Sequence, residues 1–333
     1  MSDTAAVALA PSVDALVDGA TRRVALTSGD AKSGARLERV EIGGEWFVLK
    51  HVDRRDDWLM RQAGDVSCWP VRIVESGVLA LVPPSIDHTI VGAARTGDGR
   101  GAVLMRDVAA WLVPADGGPI ELDQHLRFLA HLAALHAATW GWRDDLGLLP
   151  LGNRYAFFAP ASLACEEALG WPAPVPSIAR DGWARLDAVA PTMAAQLAPL
   201  RVAPWPLVDA LAAEPCAFLH GDWKLGNLGS RPDGRTVLVD WSLPGEGPPL
   251  VELAHYLALN RARLPDGHSK DDAIVAYRDA LESEGVVTDE WWDRQLALCL
   301  LGVMVQLAWE KALGDADDRA WWAARVEEGV DWL

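Results

Sequence analysis

Between residues 20 and 108 apolar and polar positions alternate in short runs broken by turn residues, the period of strands. Arg36-Leu37-Glu38-Arg39-Val40-Glu41-Ile42 alternates, Gly43-Gly44 makes a tight turn, and Glu45-Trp46-Phe47-Val48-Leu49-Lys50 returns. A second hairpin is expected from His88 to Ala94 and Ala102 to Met105. Gly97, Gly99 and Gly101 lie in its turn. Val71 to Leu81 reads as a helix stopped by Pro83-Pro84. From residue 120 the period lengthens. Leu122, Leu126, Leu129, Leu132 and Leu135 predict a helix over Asp123 to Trp140. Leu250 to Asn260, Asp271 to Ser283, Glu290 to Leu313 and Ala320 to Val330 also read as helices. The stretch Trp171 to Pro176, with Pro204 and Pro206, reads as proline-rich connections. Strands first and helices afterwards imply two lobes, 1–107 and 108–333, of α+β class.

Composition narrows the partners. The chain has 333 residues and a formal charge of −17, which argues against a nucleic-acid partner, since a phosphate backbone wants a basic surface. The charge suits solubility first and a cationic small molecule second. Cys68, Cys165, Cys216 and Cys299 form no C-x-x-C pair, so reduced thiols in a cytoplasmic protein are expected. The first twenty residues lack a basic segment before an apolar one, so no signal peptide is expected. The longest apolar stretch, Leu296 to Val305, is too short for a membrane span of roughly 20 residues.

The chemistry concentrates in His220-Gly221-Asp222-Trp223-Lys224-Leu225-Gly226-Asn227 and in Val239-Asp240-Trp241. A phosphoryl-transfer site needs a carboxylate to orient a hydroxyl and two oxygen ligands for magnesium. Leu228-Gly229-Ser230 and Thr236-Val237-Leu238-Val239 flank the turn signal Arg231-Pro232-Asp233-Gly234-Arg235, so a hairpin would bring Asp240 beside Asn227.

These motifs resemble the aminoglycoside phosphotransferase and choline kinase family. The resemblance takes in Phe47-Val48-Leu49-Lys50, Val103-Leu104-Met105-Arg106-Asp107-Val108, Leu132-Ala133-Ala134-Leu135-His136-Ala137 and Pro249-Leu250-Val251-Glu252-Leu253-Ala254, in the family's order. It covers roughly two-thirds of the chain. It implies a two-lobed protein-kinase-like fold, a small β-rich N-lobe and a larger helical C-lobe, with ATP and Mg²⁺ in the cleft. Asp222 would orient the acceptor hydroxyl, and Asn227 and Asp240 would hold Mg²⁺. Lys50 would pair with the α- and β-phosphates, held by Glu75 as first choice and Asp57 as the alternative. The loop with Ser28 and Gly29 would cover the phosphates. Met105, Arg106 and Val108 would line the adenine connector.

Many members carry a histidine two residues after the aspartate. Here Lys224 stands there, as in protein kinases, and could neutralise charge on the γ-phosphate. His220, His136 and Glu252 read as structural. Acceptor determinants are expected among Asp266, Asp271, Asp272, Asp279, Glu310, Trp140, Trp142 and Trp309. The leading acceptor is an aminoglycoside, amino sugar or related hydroxyl compound. A nucleotide-binding regulator without turnover is the alternative.

Overall fold

The computed structural model of the chain describes residues 7–26, 34–97, 99–115, 117–170, 173–260 and 263–333. Ser28 and Gly29 of the expected phosphate loop lie outside them. The alternating segments form a six-stranded sheet. Its strands are β1 (Ala8–Ala10), β2 (Ala20–Leu26), β3 (Arg36–Ile42), β4 (Glu45–Asp53), β6 (Ile90–Gly97) and β7 (Arg100–Arg106), with the two-residue β5 (Ile86–Asp87) outside it. The spatial order is β1-β6-β7-β4-β3-β2. The β3–β4 turn has both glycines in the left-handed region, Gly43 at φ +61° and Gly44 at φ +84°, as a two-residue hairpin loop requires.

Period-two alternation decides where Lys50 points. Leu49 joins Val40, Ala94, Ala102 and Leu104 in a small core beneath Leu16, the last residue of α1 (Val13–Leu16). Lys50, one residue on, faces the other way with Val48 and Val52, towards the main core that holds Val103 and Met105. It lies between Leu37 of β3 and Val103 of β7.

The expected helix over Val71 to Leu81 is in fact two pieces. After α2 (Trp58–Ala63), α3 (Trp69–Ser76) ends at Gly77, whose φ of +75° breaks the helix before a 3₁₀ turn at Val78–Leu81. Beyond α4 (Leu122–Ala138) come α5 (Leu151–Tyr155), α6 (Pro160–Ala168), α7 (Pro174–Val189), α8 (Pro191–Val202) and α9 (Trp205–Ala212). Here the proline-rich reading is corrected. Pro174 and Pro206 sit in the first turns of α7 and α9, where a missing N–H costs nothing because that turn has no intrahelical acceptor for it.

The short strands β8 (Ala217–Leu219), β9 (Leu228–Ser230), β10 (Thr236–Leu238) and β11 (Gly245–Gly247) precede α10 (Leu250–Leu259), α11 (Lys270–Ser283), α12 (Trp292–Ala312) and α13 (Ala316–Val330). The apolar run from Leu296 to Val305 belongs to α12. That helix is buried almost all round and forms the axis of the helical lobe. Among the described residues no helix is long and apolar enough to cross a membrane. The four cysteines are free.

Buried carboxylates help fix the lobes against each other. Glu166 of α6, buried, takes a two-pronged bond from Arg61 of α2 at 3.1 and 2.9 Å and one from Gln62 at 2.9 Å. Asp87 of β5 lies fully buried between Arg106, at the end of β7, and Arg231, in the β9–β10 turn, 2.7 Å away. β5 also pairs with β10, so this carboxylate joins the sheet, the connector and the hairpin.

Burial works to raise the Asp87 carboxyl, but the bond from Arg231 and the charge of Arg106 outweigh it and hold it below the ordinary aspartate range. Removing the charge leaves two arginines facing each other. Asp87→Asn should lower unfolding free energy at pH 7 by about 3 kcal/mol, measured by urea denaturation. A depressed carboxyl stabilises fully above its unfolded value of roughly 3.9 and loses that effect as pH falls through the lower folded value. The gap between wild type and variant should therefore close on acidification below about pH 4.

Candidate active site

The expected hairpin forms. Thr236, Val237 and Leu238 pair with Ser230, Gly229 and Leu228, and the Val239 N–H donates to the Asn227 carbonyl at 3.0 Å. That contact carries Asp240 to the end of the 220–227 loop. Asp240 has a left-handed backbone, φ +63°, which aspartate tolerates better than most residues and which turns the chain sharply after β10.

Asp222 is the centre of the loop and is 6 % exposed. Its Oδ2 accepts from Lys224 Nζ at 2.7 Å and from Asn227 Nδ2 at 2.8 Å. Its Oδ1 accepts from His255 Nε2 at 3.0 Å. Burial alone would raise the carboxyl. The Lys224 ammonium and the His255 bond overcome that and hold it far below the usual range. The three donors thus favour the ionised form of the carboxyl.

Around it the backbone is fastened by buried groups. Glu252, the acid in the first turn of α10, accepts from the N–H groups of His220 at 3.1 Å and Gly221 at 2.7 Å. Its own partner is His136 of α4, at 3.1 Å, and His136 in turn meets the Tyr277 hydroxyl at 2.6 Å. His220 bridges the loop through two ring nitrogens: Nδ1 accepts from the Asp222 N–H at 3.2 Å, and Nε2 donates to the Val239 carbonyl at 3.1 Å. All three residues read as structural from sequence occupy structural positions. Gly221 has φ +87°, and a Cβ there would fall 1.8 Å from the Leu243 carbonyl oxygen, so no other residue fits.

Lys50 reaches across from the sheet. Its Nζ donates to Asp240 Oδ1 at 2.6 Å and to Ser242 Oγ at 2.8 Å, and Ser242 Oγ donates to the same Asp240 oxygen at 2.6 Å. Burial opposes the ammonium charge, but the Asp240 and Asp57 carboxylates outweigh it and leave the amine more firmly protonated than an ordinary lysine. The expectation for Glu75 is corrected. Glu75 makes a two-pronged pair with Arg95, at 2.8 and 2.7 Å, on the outer side of α3. Asp57, the alternative, is buried at the N-cap of α2, where it accepts from Leu59 N at 2.9 Å, and its charge, after that of Asp240, acts on Lys50.

The connector is partly engaged already. Arg106 N–H donates to the Thr89 carbonyl at 2.9 Å, Asp107 N–H to Trp46 at 3.2 Å, and the Arg106 side chain is held by Asp87. Among the described residues the Val108 N–H has no partner. Met105 faces the main core with its side chain buried.

The donor set suits magnesium. Asn227 Nδ2 is turned to Asp222, and Asp240 Oδ1 is turned to Lys50 and Ser242. Asn227 Oδ1 and Asp240 Oδ2 have no partner among the described residues. Magnesium takes one or two protein oxygens and leaves its remaining positions to phosphates and water. Among the described residues there is no cluster of three or more His, Cys, Asp or Glu side chains able to hold a metal, so an all-protein cage is not formed. The site is also partly open: the side chains of Asp240 and Lys224 are each 36 % exposed, and Asp222 keeps 9 %.

Sequence reasoning missed His255, Ser242, Arg154 and Asn260. Arg154, buried in α5, donates to the Gly221 carbonyl at 2.9 Å, and Asn260 accepts from Leu225 N at 3.0 Å. The signal that could have found His255 is its i+3 spacing from Glu252 on one helix. Several acceptor candidates have other roles. Asp272 forms the capping box of α11 with Ser269, and Trp309 is buried against Phe158.

No family model and no curated protein matches the chain. Solved structures do. A choline kinase, LicA, from Streptococcus pneumoniae aligns over 96 % of both chains at 10 % identity, with a TM-score of 0.51. A thermostable mutant of the aminoglycoside phosphotransferase APH(4)-Ia, in ternary complex with ADP and hygromycin B, aligns over 96 % of both chains at 15 % identity, TM-score 0.51. A microcompartment-associated aminopropanol kinase aligns over 94 % of this chain and 91 % of its own, at 15 % identity, TM-score 0.51. The chain thus has the two-lobed, α+β fold of the kinase-like small-molecule phosphotransferases.

Proposed function

We propose that this chain is an ATP-dependent kinase that transfers the γ-phosphoryl group to a hydroxyl of a small molecule, working in the cytoplasm through lobes 1–107 and 108–333. The observation that carries the reading is the Asp222 carboxyl, fixed by three donors, lying in the same loop-and-hairpin unit as two unengaged oxygens and across from Lys50.

Each residue takes a defined role. The Val108 N–H would meet the adenine edge. Lys50 would leave Asp240 for the α- and β-phosphates, with Asp57 keeping its amine charged. Asn227 Oδ1 and Asp240 Oδ2 would hold Mg²⁺, which when bound offsets the negative charge of the phosphates. The acceptor hydroxyl would donate a hydrogen bond to Asp222. Its oxygen would attack Pγ, the bond from Pγ to the β-phosphate oxygen would break with its electrons leaving on ADP, and the hydroxyl proton, hydrogen-bonded to Asp222 until the new bond forms, would be lost to solvent. Lys224, beside Asp222, offsets charge on the transferring group. A loose transition state rewards such positioning more than base strength, so a strongly acidic carboxyl is no handicap.

For the acceptor we favour a cationic compound, an aminoglycoside, amino sugar or amino alcohol. The net charge of −17 supports this, as does the shared fold of enzymes for choline, aminopropanol and aminoglycosides.

Purified protein with labelled ATP, Mg²⁺ and a panel of such acceptors should transfer label to at least one. Label reaching none of a broad panel, despite tight ATP binding, would instead favour a nucleotide-binding regulator. Two substitutions separate the roles. Asp222→Ala should lower kcat by about 10²–10⁴-fold with Mg²⁺-ATP affinity nearly unchanged, because it acts on the acceptor. Asp240→Ala should weaken Mg²⁺-ATP binding by roughly tenfold or more, as well as the rate. Equal losses of nucleotide affinity, by calorimetry, would contradict the assignment.

A further inference from the structure

His255 is a histidine in an otherwise apolar stretch of helix. Its neighbours Leu253, Ala254, Tyr256 and Leu257 are fully buried, and it is itself 6 % exposed. A buried imidazole placed only for packing gains nothing over leucine or phenylalanine and adds a desolvation cost. It has one hydrogen bond, from Nε2 to Asp222 Oδ1 at 3.0 Å, while Nδ1 is buried with no partner among the described residues. The proton must therefore sit on Nε2, since the other tautomer would leave a lone pair facing the carboxylate and a buried N–H with no acceptor.

Resting on the phosphotransfer reading, we infer that His255 is a positioning residue that fixes the plane of the Asp222 carboxylate and leaves one lone pair of Oδ1 for the acceptor hydroxyl. A carboxylate has about four lone-pair sites. Lys224 and Asn227 occupy Oδ2, and both belong to the loop that carries Asp222, so they move with it. His255 is the one donor to the carboxylate, among the described residues, from outside that loop. It comes from the same face of α10 as Glu252, one turn earlier, which holds the loop backbone at His220 and Gly221. One helix thus anchors both the main chain and the side chain of the aspartate. His255 and the acceptor would share Oδ1, and loss of the Nε2–H bond would let the carboxylate swing without changing where the nucleotide binds.

The test compares His255→Phe, which keeps size and loses the donor, with His255→Gln, which keeps an N–H at similar reach. With the best acceptor of the panel, His255→Phe should lose roughly ten- to hundredfold in kcat, the effect of a hydrogen bond to a charged group, with KM for ATP within about threefold. His255→Gln should recover most of that loss. Thermal midpoints of the two variants, measured alongside, show whether folding differs. Full kcat in His255→Phe, or equal losses in both variants at equal thermal midpoint, overturns the inference. Imidazole ¹⁵N spectra of the wild type provide a readout independent of turnover. They should show His255 protonated at Nε2, with a signal that moves in Asp222→Asn. A ring protonated at Nδ1, or indifferent to that substitution, also overturns it. If the wild type phosphorylates nothing, the phosphotransfer reading has failed, and these spectra still decide whether His255 holds Asp222.

Discussion

An ionised carboxylate set away from bulk water persists only where donors answer its oxygens, and Asp222 shows what that requires of a fold. Three side chains supply the donors: Lys224, Asn227 and His255. Each must be delivered by a segment that is itself held. The loop is pinned by Glu252 and Arg154, two buried groups of opposite charge that take its N–H groups and one of its carbonyls. Gly221 allows the chain to pass under Leu243. The hairpin after Asn227 closes the unit and adds Asp240.

The same logic extends across the lobes. Lys50 is carried by a strand whose alternate residues bury in a separate small core, so its direction is fixed by the sheet and not by its partner. Its charge is retained in a buried place because Asp240 and Asp57 outweigh the cost of burial. Asp57 caps α2, and α2 is tied to the helical lobe through Arg61 and Glu166. Asp87 ties the connector to the hairpin. The charged groups at the lobe boundary thus set the distance between the lysine on one side and the aspartates on the other.

Much of this was legible in the sequence because it is local. The Gly43-Gly44 turn, the Leu228–Leu238 hairpin and the helices from α10 onward follow from short-range pattern and turn chemistry, and the hairpin alone was enough to place Asp240 near Asn227. The failures are of two kinds. The stretches around Pro174 and Pro206 read as proline-rich connections because proline means opposite things at a helix start and within a helix, and composition alone does not separate them. Glu75 and His255 were misjudged or missed because their partners, Arg95 and Asp222, are set by how one helix rotates against a sheet or a loop. A one-residue difference in that rotation would exchange which side chain points inward; the i+3 spacing from Glu252 marks the face His255 shares but does not name its partner.

The central claim is that Asp222, Asn227, Asp240 and Lys50 surround one nucleotide–metal–acceptor assembly. The most direct measurement is a crystal structure with Mg²⁺ and a non-hydrolysable ATP analogue. The account predicts Asn227 Oδ1 and Asp240 Oδ2 at about 2.0–2.1 Å from the ion, Lys50 moved from Asp240 onto a phosphate oxygen, and Asp222 facing the γ-phosphate without touching the metal. A nucleotide bound elsewhere, or one whose γ-phosphate is turned away from Asp222, would contradict it.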